Sequence, residues 1–178
     1  QPSGLKIHQA FAEIARPHVL LRLLLLGAIS ASGVLYMVLI SLIFDASLMR
    51  STSDVALYVG MVAGWEVPCL ILLPRLTART RRTTLLAVGS VLYSIQLIAL
   101  PLLCDSPMIW GMTLLAGVGG AAIIAVPIGY YQDLLRDRPG AAGSMLALQK
   151  LVSDVLAATA FALGTTFGGY ETVALIGV

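Results

Sequence analysis

Five stretches of this chain are too long and too apolar for an ordinary water-facing domain: Val19–Phe44, Val55–Pro74, Thr84–Cys104, Met108–Tyr131 and Ala141–Phe167. Each is near or above the roughly 20 residues that a helix needs to cross the hydrocarbon core of a bilayer. Composition agrees, because only 11 % of the residues are charged, against about 25 % in soluble domains. The expected fold is all-α, a polytopic membrane helix bundle. A sixth apolar run, Val173–Val178, supplies half a crossing even when counted from Tyr170. The chain also starts on Gln1, not Met, so the sequence reads as a piece of a longer protein. The expected division is a linker segment over residues 1–18 and a six-helix transmembrane domain over residues 19–178, its last helix cut short.

Hairpins of spanning helices alternate sides, so the basic residues can be sorted by face. Lys6, Arg16 and Arg22 precede or open the first span, Arg75, Arg79, Arg81 and Arg82 follow the second, and Arg136, Arg138 and Lys150 follow the fourth. All fall on one face, and the other has only Arg50. By the positive-inside rule the basic face is cytoplasmic. The amino end is then inside, and Asp45–Asp54, Asp105–Pro107 and Gly168–Glu171 face outward. Gln1–His18 lacks the short apolar core of a signal peptide. Its Leu5, Ile7, Phe11, Ile14 and Ala15 approximate a helical stripe beside polar residues, broken at Pro17. That pattern predicts an amphipathic cytoplasmic helix near the membrane surface, with a frayed linker as the alternative.

Against this apolar background the polar groups inside the spans stand out. Glu66 lies near the middle of the second run, in Gly64-Trp65-Glu66-Val67-Pro68. An acid at that depth costs about 2.5 to 3.5 kcal/mol on insertion scales. It must face a wet cavity, pair with a cation, or stay protonated against a neighbouring helix. Pro68 frees the Gly64 carbonyl and can bend the helix. Trp65 offers a flat surface for a ring-shaped ligand, but adjacent helical residues diverge by about 100°, so Trp65 and Glu66 cannot both look into one cavity. Lys150 and Asp154 are four residues apart and share a helix face. They form either a self-neutralising ion pair or part of a cavity, and Glu66 or Asp154 could carry a coupling proton. Tyr36, Ser30 and Ser32 in the first span could line a path. Arg22 reads as a snorkelling side chain, and Gln96 as an interhelical hydrogen bond.

Gly60-x-x-x-Gly64 and Gly117–Gly120 read as close helix contacts. The latter is not a nucleotide loop, since no strand precedes it and no Lys-Ser or Lys-Thr follows. Cys69 and Cys104 have neither metal spacing nor the makings of a disulfide framework. Both histidines, His8 and His18, precede the first span, and no hydrolase or metalloprotease motif occurs. The expectation is a non-enzyme without cofactor, metal or nucleic-acid partner.

Two stretches carry a family resemblance. They are Gly64–Arg82, "GWEVPCLILLPRLTARTRR", and Pro127–Leu151, "PIGYYQDLLRDRPGAAGSMLALQKL". Together they resemble the carboxy-terminal half of bacterial sugar efflux transporters of the major facilitator superfamily. Glu66-Val67-Pro68 is similar to a Glu-Ile-Pro element in that family's eighth helix. Tyr130-Tyr131-Gln132-Asp133-Leu134 is similar to the Tyr-x-Gln-Asp-Leu element closing its tenth. Gly140–Ser144 is similar to the small-residue start of the eleventh. The loop after the second span departs from the superfamily's basic motif, with Pro74 for Gly, Ala78 for Asp, and Arg81 and Arg82 one residue early. The resemblance implies helices seven to twelve of twelve, a missing amino-terminal half, and a substrate site between halves at the midplane. It also implies proton-coupled efflux of sugar-like small molecules across a bacterial inner membrane. The resemblance places Glu66, Tyr36 and Asp154 on cavity helices; Lys150, paired with Asp154 outside the family's pattern, and Trp65, as a stacking surface, complete the candidates for the substrate or proton pathway. The basic loop is Arg75, Arg79, Arg81 and Arg82, and the tenth-helix end is Tyr131, Gln132 and Asp133. Rivals are a multidrug exporter with a more apolar cavity and a non-transporting scaffold or membrane enzyme.

Overall fold

The computed structural model describes residues 17–135 and 139–178. They form six α-helices: α1 (Pro17–Ala46), α2 (Thr52–Thr77), α3 (Arg82–Leu103), α4 (Ile109–Leu134), α5 (Pro139–Phe167) and α6 (Tyr170–Ile176). The expected amphipathic segment, Lys6, Arg16, Arg136 and Arg138 fall outside the described residues, as does the side chain of His18. Pro17 is the first residue of α1, where its missing N–H has no intrahelical partner to lose.

Helices α1 to α5 are long and apolar enough to cross a membrane, with spans of 22 to 28 residues. Even the shortest gives about 33 Å of helix, against a hydrocarbon core of about 30 Å. Proline does not break them: Pro68 and Pro74 lie inside α2, Pro101 inside α3 and Pro127 inside α4. Tight ends set the hairpins. The Asp54 carboxylate accepts the Ser51 backbone N–H at 2.8 Å to open α2, the reciprocal half of a capping box. Between α5 and α6 the chain turns through Gly169 at φ +79°, a left-handed conformation that glycine adopts without strain.

α4 is the most enclosed of the spans, and α2 and α5 are the least. α4 packs most closely on α3 and α2, and α1 on α5, with α6 against α5 and α3. Small residues make the α4 contacts possible. A Cβ on Gly119 would stand 2.7 Å from the Gly89 carbonyl oxygen and 3.0 Å from the Tyr93 nitrogen. A Cβ on Gly117 would meet the Val62 carbonyl oxygen at 2.9 Å. The Gly117–Gly120 expectation therefore describes two helix crossings. The Gly60–Gly64 expectation needs correcting, because a Cβ on either would meet nothing within 4 Å. α2 turns its Tyr58 and Val62 face inward, and the two glycines lie on its far side.

An aromatic cluster fills the core toward the α1–α2 connection. Tyr58 lies between Tyr36, Phe44 and Trp110, with ring centroids 5.6 to 6.3 Å apart. Gln96, fully buried, donates to the Tyr58 hydroxyl at 3.4 Å, the interhelical hydrogen bond expected of it. At that end of the bundle Arg50 donates to the Cys104 and Ser106 carbonyls at 2.6 and 2.9 Å and lies over Phe44 and Trp110. Ser47 donates to Asp105 at 2.5 Å beside it.

Candidate functional site

A cleft of about 450 Å³ opens where α1, α4 and α5 converge, reached by Glu66 from α2 and Tyr93 from α3. Helical spacing builds its walls. Leu146, Gln149, Lys150 and Ser153 repeat at i, i+3, i+4 and i+7, one stripe of α5. Ser30, Gly33, Val34 and Met37 form the matching stripe of α1. Lys150, with 72 % of its side chain exposed, and Met37 lie at the open side.

The polar chemistry of the cleft is unfinished. The Tyr36 hydroxyl, the Gln149 amide oxygen and the Ser153 hydroxyl are buried without a hydrogen-bond partner among the described residues. Gln149 is fixed by its amide nitrogen, which donates to Ser30 at 2.7 Å, so its oxygen is left as an acceptor. A buried polar atom without a partner costs about 1 to 3 kcal/mol. Three of them around one cleft describe a surface that water or a ligand must complete. Glu66, half-buried, makes no hydrogen bond or ion pair among the described residues. Gly120 makes room for it, since a Cβ there would lie 2.5 Å from Glu66 Oε1.

Of the five pathway residues expected from sequence, the cleft brings together three, Glu66, Tyr36 and Lys150. Asp154 does not line it. It holds the Lys150 ammonium at 3.0 and 3.2 Å from one turn further along α5. Lys150 is thus both ion-paired with Asp154 and on the wall of the cleft. Trp65 is turned away and 43 % exposed, with its Cβ against Gly117. It takes no part in the cleft, the outcome required by its adjacency to Glu66. Tyr93, Gln149, Ser153 and Gly120 were not anticipated. The signal for Gln149 and Ser153 is present in the sequence, because they share the Lys150 stripe.

At the end of the bundle where α1 and α3 begin and α4 ends, Arg82 forms an ion pair with Asp133. This joins the basic loop to the tenth-helix end motif, two groups that sequence kept apart. Tyr131 from that motif is buried in a small cluster with Leu23 and Met145, and Gln132 is exposed. Arg75, Arg79 and Arg81 are exposed near this end. Arg22 does more than snorkel: it donates to the Tyr130 hydroxyl at 2.6 Å, its guanidinium carbon 6.0 Å from the ring centre.

No ion-binding cluster of His, Cys, Asp and Glu occurs among the described residues. No protein-family model, no curated protein and no solved structure matches the chain.

Proposed function

We propose that this chain is the carboxy-terminal half of a secondary transporter of the major facilitator type, exporting hydroxylated, sugar-like molecules in exchange for protons. The observation that supports the reading is the cleft: an acid without a partner at mid-membrane, facing the same space as three unpaired buried polar atoms. A polyol offers both donors and acceptors to such a surface, and the fixed Gln149 oxygen asks for a hydroxyl hydrogen. Glu66 would alternate between substrate contact and proton carriage. Lys150, its charge balanced by Asp154, would sit at the mouth. A second half of the same polypeptide, related by a two-fold axis along the membrane normal, would close the open side. On this reading the arginine-bearing end faces the cytoplasm of a bacterial inner membrane.

A multidrug exporter is the second reading, favoured by the apolar walls that Met37, Ile124, Ile128 and Leu146 give the same cleft. Growth protection separates the two. Cells expressing the full-length protein should survive toxic sugar analogues and gain nothing against lipophilic cations; the reverse result selects the multidrug reading. In the full-length protein, Glu66→Gln should abolish efflux or its dependence on pH. Efflux unchanged across a pH series would remove Glu66 from the mechanism.

A further inference from the structure

We infer that a groove between α1, α3 and α4, at the arginine-bearing end, is a binding site for one anionic phospholipid. The groove holds about 460 Å³ and is divided in character. Arg22, Arg82, Thr83 and Tyr130 supply its polar groups, and Leu26, Ile29 and Leu86 are among the apolar side chains of its wall. Only Pro127 borders both this groove and the cleft of Glu66, so the inference is independent of any transport reading.

Both arginines are already oriented. Arg22 is fixed through one guanidinium nitrogen on the Tyr130 hydroxyl, and Arg82 through Asp133. A guanidinium has five N–H donors in a planar fork, so one bond positions each group and leaves donors for a phosphate. Charge favours an anion here. Two arginines against Asp133 leave the groove with a net positive charge. The apolar wall decides the source of the phosphate. A soluble phosphate would leave Leu26, Ile29 and Leu86 uncovered, whereas a lipid lays an acyl chain on them while its headgroup meets the guanidiniums. Depth is also suitable: α1 and α3 begin at this end and α4 finishes there, which puts both arginines near a bilayer interface. Basic pockets between spanning helices bind lipid headgroups on these principles.

The test is native mass spectrometry of the delipidated full chain, titrated with phosphatidylglycerol or phosphatidylcholine. Phosphatidylglycerol should be retained about fivefold more tightly for each arginine engaged. Arg22→Gln and Arg82→Gln should each reduce that preference. Leu26→Trp fills the groove with the charges intact and should weaken retention of both lipids. Circular dichroism identifies any variant that fails to fold; Arg22→Gln and Leu26→Trp carry the test if Arg82→Gln does. Soluble glycerol phosphate in excess should not compete. Equal retention of the two lipids, a preference untouched by the arginine changes, or displacement by glycerol phosphate would overturn the assignment.

Discussion

Gly120 lies directly against the Glu66 carboxyl: a Cβ on the glycine would fall 2.5 Å from Oε1. The neighbouring glycine meets backbone instead, with the Gly89 oxygen 2.7 Å from its Cβ position. The two should answer differently to the same added methyl. Gly119→Ala forces α3 and α4 apart and should cost about 1 to 3 kcal/mol, the usual penalty of overpacking. Gly120→Ala displaces the end of a flexible side chain, so it should melt close to the parent while shifting the carboxyl. Thermal unfolding of both in detergent decides the matter, and equal melting temperatures would contradict it.

Lys150 and Asp154 neutralise one another within α5. Lys150→Met leaves a lone carboxylate on a helix that spans the apolar core, and such a group is costly. Lys150→Met together with Asp154→Leu removes both charges. The single variant should therefore lose more stability than the double. A double variant that melts lower than the single would show that the pair contributes more than charge balance.

Gln96 is fully buried with its amide oxygen unpaired, and its one hydrogen bond is long at 3.4 Å. Hydrogen bonds between membrane helices average about 0.6 kcal/mol, and here an unpaired acceptor offsets part of that. Gln96→Leu should leave the melting temperature within about 2 °C of the parent. A much larger fall would mean that a solute or water completes the amide.

Cys104 is 6 % exposed, with its sulfur 3.8 Å from the Ile43 carbonyl, and burial pushes its thiol above the ordinary value. Inaccessibility and scarce thiolate act together against modification. In a Cys69→Ala chain, a maleimide should therefore label the remaining thiol only through the unfolding transition. Rapid labelling of the folded protein would show that the turn at Cys104 opens in solution.

Much of the fold was legible because it follows from single segments. Apolar runs located all five spans to within about three residues at each end. Glu66, Lys150 and Tyr36 were found for a related reason, since titratable or hydroxyl-bearing side chains are rare in those runs. Gln149 and Ser153 were passed over because neutral polar residues are ordinary packing devices in membranes, and only their shared stripe with Lys150 marks them. Gly60 and Gly64 show the reverse failure. A four-residue spacing establishes that two glycines share a face, but not that a neighbour occupies it. Arg82 and Asp133 could be assigned to one end by hairpin alternation. Their pairing across 51 residues depends on how α3 and α4 cross, which no local pattern encodes. Sequence marked Arg50 only as the basic residue of the opposite face; its role as the tie between two loops depends on how the hairpins meet.

That tie limits how the bundle can change shape. Arg50 and Ser47 rivet the α1–α2 connection to the α3–α4 connection, so four helices are pinned to one another at a single pole. Such a basket hinges where it is tied and spreads at the opposite rim. Any opening between α1 and α4 would then be widest at the pole opposite Arg50, where the Arg22–Tyr130 hydrogen bond joins them.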